Sequence, residues 1–319
     1  MENPYLDPSR IRAALRALGL RPTREMGQNF LTDASALDTI VAAAELTPDD
    51  TVVEIGPGLG VLTWELLQRA GRVVAVELDR RLAERLSQEF AQDQHLTIIQ
   101  SDILRLSPGD LLQGERPKTK GAGAVRKQPD SLSGDQGPSS FVLRPSSYKV
   151  VANLPYAITS AVLRHFLEAG HKPAIMVLLV QWEVAERIIA RPGDMSVLAH
   201  SVQIYAEPEI VARVPASSFV PAPAVDSAVL RLKLRPHPAT NIEVASLMRL
   251  IKAGFLQARK KLANALPTGL ASVGIQIEKE RAVAALTAAG VDPNRRAETL
   301  ALEEWARVYR GLFNDRDVK

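Results

Sequence analysis

The sequence predicts an α/β fold: a mainly parallel sheet covered by helices, joined to a small all-helical C-terminal domain. Three observations predict it. Short β-type runs alternate with helix-period segments from residue 51 to about residue 180. One of those runs, 174–180, is apolar without interruption, which suits a strand buried on both faces. Beyond residue 236 only helix-period patterns remain.

The elements follow in order. Residues 9–18 place Ile11, Leu15 and Leu18 on one face of a helix, with Ser9 as its cap. A segment punctuated by Pro22 and Gly27 leads to a second amphipathic helix over 34–44. Strands are expected at 51–55, 72–77 and 96–100, with helices at 60–69 and 80–90 between them. Residues 113–147 are rich in Gly, Pro, Ser, Lys and Arg and poor in large apolar side chains. Such a stretch cannot bury enough area to offset its ordering entropy, so it reads as a flexible insertion, passive or in contact with nucleic acid. A fourth parallel strand covers 149–152. Residues 227–232 alternate apolar and polar and are expected as the last strand, at an edge. Pro236 and Pro238 end the sheet, dividing the chain into 1–236 and 237–319. Helices are expected at 242–255, 257–266, 277–289 and 302–312.

Composition narrows the function classes. The 319 residues include no cysteine, which removes disulfides, thiolate metal sites and cysteine nucleophiles. The five histidines (His95, His165, His171, His200, His237) lack metal-ligand spacing, so no metal is expected. No apolar run reaches the roughly 18 residues of a membrane span, and the first residues lack the pattern of a secretory signal. A cytoplasmic monomer is the expectation. Net charge is only +3, yet residues 235–319 hold 14 Lys/Arg against nine Asp/Glu. The basic excess therefore sits at the C-terminal end, as a solvated face or a phosphate-facing one.

The sharpest motif is Glu54-Ile55-Gly56-Pro57-Gly58-Leu59-Gly60, between a strand and a helix. Its glycines let the backbone turn tightly and approach a ligand at the carboxyl edge of a sheet. Pro57 removes a donor that a pyrophosphate would use. Glu77 ends the next strand, placed for ribose hydroxyls, and Asp102 the one after, placed for an adenine amino group. Helix capping is the other reading of these two carboxylates. Together the features suit a nucleoside cofactor without a pyrophosphate, S-adenosylmethionine.

Asn153-Leu154-Pro155-Tyr156 follows the fourth strand directly. An exocyclic amino nitrogen is a poor nucleophile because its lone pair is delocalised into the ring. Two acceptors, the Asn153 side-chain oxygen and the Leu154 carbonyl, can hold its hydrogens and aim the lone pair at a sulfonium methyl. Pro155 fixes the turn, and Tyr156 offers an aromatic face to a base taken from its stack. Standing alone, the same residues would be a β-turn with a buried tyrosine.

With these residues assembled, the chain resembles the KsgA-type ribosomal RNA adenine dimethyltransferase family over nearly its whole length. The matching motifs are Gly27-Gln28-Asn29-Phe30-Leu31, Val53-Glu54-Ile55-Gly56-Pro57-Gly58, Glu77-Leu78-Asp79, Ser101-Asp102, Asn153-Leu154-Pro155-Tyr156, Glu183-Val184-Ala185-Glu186-Arg187 and Phe219-Val220-Pro221-Ala222-Pro223-Ala224-Val225-Asp226-Ser227-Ala228-Val229. The resemblance implies a Rossmann-like class I methyltransferase sheet. It also implies N6,N6-dimethylation of two adjacent adenosines in the 3′-terminal hairpin of small-subunit (16S) rRNA, with a role in subunit biogenesis. It implies that Asn29, Leu31, Gly56, Glu77, Asp102 and Asn153 hold the cofactor, and that Phe219 faces Tyr156 across the target base. From the sequence alone Phe219 is equally a core aromatic. Arg259, Lys260 and Lys261 resemble a basic helix of the family suited to rRNA phosphates, a solvated face being the other reading. Free rRNA or a pre-ribosomal small subunit is the expected partner.

Three stretches depart from the family pattern: Gln181-Trp182-Glu183 where Gln-Lys-Glu is usual, a shortened segment at 191–196, and the long insertion after Leu112. Alternative functions are a large-subunit rRNA adenine methyltransferase of the antibiotic-resistance type and an assembly factor for which methylation is secondary. A nicotinamide dehydrogenase lacks a His-carboxylate pair near the glycine turn.

Overall fold

The computed structural model describes residues 3–20, 29–113 and 147–313. The insertion expected at 113–147 lies outside them except for its two end residues, as do Gly27 and Gln28 of the first family motif.

Helix α1 (Pro8–Ala17) begins at Pro8, where the missing N–H costs nothing. Its cap is Asp7, whose carboxylate accepts from the Ser9 N–H, and not Ser9 as the sequence suggested. Strand β1 (Phe30–Leu31) precedes α2 (Ala34–Ala43), capped by Asp33. Then β2 (Thr51–Ile55), α3 (Val61–Leu67), β3 (Arg72–Glu77), α4 (Arg80–Glu89) and β4 (Leu96–Gln100) alternate as expected, and α5 (Pro108–Gln113), which the sequence did not suggest, follows. After the insertion come β5 (Tyr148–Asn153), α6 (Thr159–Leu167), β6 (Ile175–Gln181), α7 (Trp182–Ile188), α8 (Val197–Gln203), β7 (Ala206–Val214), β8 (Phe219–Val220) and β9 (Ser227–Leu234).

Seven strands form one sheet in the order β4-β3-β2-β5-β6-β9-β7. The first five are parallel, and β9 runs antiparallel to both neighbours. Successive residues point to opposite faces and both faces are covered. Val53, Val150 and Leu178 join one core, while Val52, Val151 and Val177 join the other. The chain leaves β2 toward β3 on one side and reaches β5 on the other. The carboxyl ends of β2 and β5 therefore flank a topological switch point, the place where such sheets bind ligands.

One expectation is corrected. Strand β9 is the last strand but lies inside the sheet, and β7 holds the edge. No strand is expected from the sequence of β7, which holds Glu207, Pro208 and Glu209. An edge strand pairs on one side only and so tolerates proline and charge.

Helices α9 (Val244–Leu256), α10 (Leu262–Ala271), α11 (Lys279–Ala288) and α12 (Leu302–Leu312) enclose their own core around Trp305. Ile204, between α8 and β7, belongs to that core, and Ala239 donates its N–H to the Ile204 carbonyl at 2.8 Å. The helix expected over 257–266 begins only at Leu262. Its first donors are taken by tertiary partners, Leu262 N–H by the Arg295 carbonyl and Ala263 N–H by that of Pro293. Arg259 and Lys260 consequently lie in the turn before α10, with Lys261 as its cap residue. No helix among the described residues is long and apolar enough to cross a membrane. Nor do the described residues hold a cluster of His, Asp and Glu suited to a metal.

Candidate cofactor and reaction site

At the carboxyl end of β2 the chain turns through Gly56, Gly58 and Gly60, all with positive φ, at +66°, +60° and +87°. The turn is also crowded. A Cβ on Gly58 would stand 3.0 Å from the Phe30 ring, and one on Gly60 2.8 Å from Phe90. Only glycine meets both demands there.

Glu77, at the end of β3, reaches across to this turn. Its carboxylate accepts from the Gly58 N–H at 3.0 Å and from the Asp79 N–H at 2.9 Å. Burial pushes its pKa up, against the pull of those donors. Beneath the turn lies Glu54, 1% exposed. Burial, with the neighbouring Glu77 carboxylate adding to it, pushes Glu54 up to about 8. Its Oε2 has no hydrogen-bond partner among the described residues.

On the other side of the switch point Asn153 ends β5. Its Nδ2 donates to the Asn29 carbonyl at 2.9 Å, which leaves Oδ1 as the atom able to accept. Leu154 is buried, and its N–H donates to the Leu179 carbonyl at 3.3 Å. Tyr156 opens a short 3-10 turn and shares a 2.8 Å hydrogen bond with the Ser227 hydroxyl, while burial raises its phenol pKa.

One cavity brings most of the expected residues together. Asn29, Leu31, Glu54, Gly56, Glu77, Asn153 and Pro155 all line it. Asn29 and Leu31 are carried there by the β1–β8 pair, in which Leu31 faces Phe219 and Phe30 faces Val220. The Ser218 carbonyl and hydroxyl extend that clamp to Thr32 and Asp33.

Leu154, Tyr156, Asp102 and Phe219, four of the expected residues, are not among those that line the cavity. Asp102 is not among the lining residues, because its side chain folds back to cap the 3-10 turn Ile103–Arg105, accepting from the Leu104 N–H at 3.0 Å. Phe219 is 3% exposed and packs in the core with Leu31 and Leu37, so the core reading of this residue holds here. The site also contains a group that sequence reasoning undervalued. Glu54 entered only as part of a motif, although a carboxylate inside the run Val52-Val53-Glu54-Ile55 is itself a signal.

Comparison with known proteins shows the family and the fold. The family model described as "Ribosomal RNA adenine dimethylase" matches residues 20–313. A protein of Dehalococcoides mccartyi named ribosomal RNA small subunit methyltransferase A is 43% identical over 288 residues, covering 90% of this chain and 87% of the relative. One of the same name from Moorella thermoacetica is 42% identical over 308 residues, covering 96% of this chain and 97% of the relative. Among solved structures, the 23S rRNA methyltransferase ErmE superposes with a TM-score of 0.62 at 28% identity, over 89% of this chain and 99% of its own. A dimethyladenosine transferase from Plasmodium falciparum gives 0.65 at 23% identity, over 88% and 95%, and supports the fold.

Proposed function

The chain belongs to the ribosomal RNA adenine dimethylase family, and from that premise we propose that its cavity methylates adenine amino groups of small-subunit rRNA. The enzyme is an S-adenosylmethionine-dependent rRNA adenine dimethyltransferase. Its target, in this reading, is a pair of adjacent adenosines in the 3′-terminal hairpin of 16S rRNA. The observation that carries the reading is the single cavity shared by the glycine turn, Glu77 and Asn153.

The residues present fit the cofactor. The unpartnered, buried Oε2 of Glu54 suits a cationic amino group, and the Glu77 carboxylate suits ribose hydroxyls. Asn29, Leu31 and the backbone of Gly56 complete the wall. Asp102 caps the following turn through one oxygen, Oδ1, which leaves Oδ2 able to accept from the adenine amino group of the cofactor. When bound, S-adenosylmethionine supplies a sulfonium methyl that is displaced to the amine nitrogen, leaving a thioether.

The protein's own part is alignment. Asn153 Oδ1 and the Leu154 carbonyl accept the two amine hydrogens, which localises the nitrogen lone pair toward the cofactor side. The strut from Asn153 Nδ2 to Asn29 sets the amide so that its oxygen, and not its nitrogen, is presented. Tyr156, tied to Ser227, lends a ring face to the extruded base. The methylated nitrogen then releases its proton to water, so no general base is needed. Residues 1–236 carry this chemistry in our reading. Residues 237–319 bind rRNA, with the exposed Arg259, Lys260 and Lys261 toward phosphates.

The test supplies labelled S-adenosylmethionine with unmethylated small subunits, free 16S rRNA and large subunits, and maps the modified adenines. Label on two adjacent adenines of the 16S hairpin supports the reading. Label on the large subunit instead would overturn it.

A further inference from the structure

Trp182 opens α7 at the carboxyl end of β6, the strand beside β5, so it stands at the same sheet edge as Asn153. The register makes the neighbourhood explicit. Gln181 pairs with Ser227, the residue whose hydroxyl holds Tyr156, and the Trp182 N–H donates to the Asp226 carbonyl at 3.0 Å. Arg213, near the end of β7, reaches the same corner, its guanidinium carbon 4.7 Å from the centre of the Trp182 ring. Its Nε donates to Asp226 Oδ2 at 2.8 Å.

These contacts hold a planar cation in one orientation. The indole supports one face of the guanidinium, and Asp226 ties its edge. The Arg213 side chain nevertheless remains 58% exposed. A phosphate is a poor occupant, since the Asp226 carboxylate beside the cation would repel it. A nucleobase is a good one, because guanidinium planes stack on bases and an aromatic support reduces the entropy lost on stacking.

We propose that Arg213, laid on Trp182 and anchored by Asp226, is a stacking platform for a base that flanks the adenine presented to Asn153. The inference rests on the rRNA reading above and adds a subsite to it.

The test measures equilibrium binding of unmethylated small subunits to the full chain, alongside S-adenosylhomocysteine affinity and melting temperature. Arg213→Lys keeps the charge and loses the plane. It is expected to weaken subunit binding about tenfold, the scale of one lost base stack, while S-adenosylhomocysteine affinity is unchanged. Should that variant fold poorly, Trp182→Phe and Trp182→Leu give the same reading. Phenylalanine keeps a flat support and should bind like wild type, whereas leucine should behave like Arg213→Lys. Subunit binding by Arg213→Lys equal to wild type, or by Trp182→Leu equal to Trp182→Phe, would overturn the platform. Failure of the wild-type chain to methylate small subunits would instead overturn the function it rests on.

Discussion

At Asn153 one amide group does two things: its nitrogen braces Asn29 at 2.9 Å and its oxygen is turned toward the substrate side. Asn153→Ala removes both and should lower the single-turnover rate at saturating cofactor and subunit by about a hundredfold or more, the scale of one lost preorganised contact. Asn153→Asp should be as poor, because a carboxylate cannot donate to the Asn29 carbonyl. Asparagine-like activity in the aspartate variant would sink the assignment. Glu54 is the second residue whose chemistry is set by its place. Its pKa in the folded protein, about 8, lies above the ordinary 4.5, so the folded state holds a proton that the unfolded state gives up. Stability from this group is therefore full below pH 4.5 and is lost as pH rises toward 8. Glu54→Gln should melt higher than wild type at pH 8 and show a smaller advantage at pH 5. Wild type should release a proton on binding S-adenosylmethionine near pH 7, since a cationic amine favours the ionised carboxylate. Calorimetry in two buffers of different ionisation enthalpy reads that proton, and equal heats in the two would refute the role.

Between elements, one of the tightest constraints among the described residues lies where α10 crosses α9. A Cβ on Gly269 would stand 2.0 Å from the Ala253 carbonyl oxygen, a backbone atom that cannot swing aside. Gly269→Ala must push the two helices apart and should cost about 1–3 kcal/mol or more in chemical denaturation. Wild-type stability in that variant would mean the helices are not held so close. This contact also marks the limit of what periodicity reveals. The central strands were legible because burial on both faces makes them apolar runs, as at 174–180. Glycine turn, Glu77 and Asn153 were legible because each sits at a strand end, where topology alone decides that they meet. Strand β7 was not, because an edge position permits Pro208 and two glutamates. The start of α10 was missed because its first donors are claimed by residues 293 and 295, far along the chain. At Asp102 the strand end was read correctly, and the side-chain direction was decided by the turn that follows it. Phe219 stayed open until its pairing with Leu31 fixed it as core.

For the molecule as a whole, the sheet and the helical core meet at His200. It lies on α8 with no exposed surface, its ring edge-on to Phe255 of α9 and Trp305 of α12, and neither ring nitrogen has a partner among the described residues. An imidazolium in that apolar seat would be an unpaired buried charge, and burial accordingly pushes the pKa down to about 4. The folded value lies below the unfolded 6.5, so the unfolded chain takes up the proton first as pH falls. Stability is thus lost from pH 6.5 down to about 4, a depression worth roughly 3 kcal/mol once complete. Glu54 slopes the other way above pH 4.5, so wild-type melting alone mixes the two groups. The difference between wild type and His200→Leu isolates the histidine, because leucine fits the apolar seat and does not titrate. At pH 7.5 the variant should melt at or above wild type, having lost two unpartnered nitrogens. Toward pH 4.5 its advantage should widen, and the junction between sheet and helices should open first in the wild type, seen as earlier amide exchange in α8, α9 and α12. Melting curves that stay parallel from pH 7.5 to 4.5 would show that His200 does not set the acid limit of this interface.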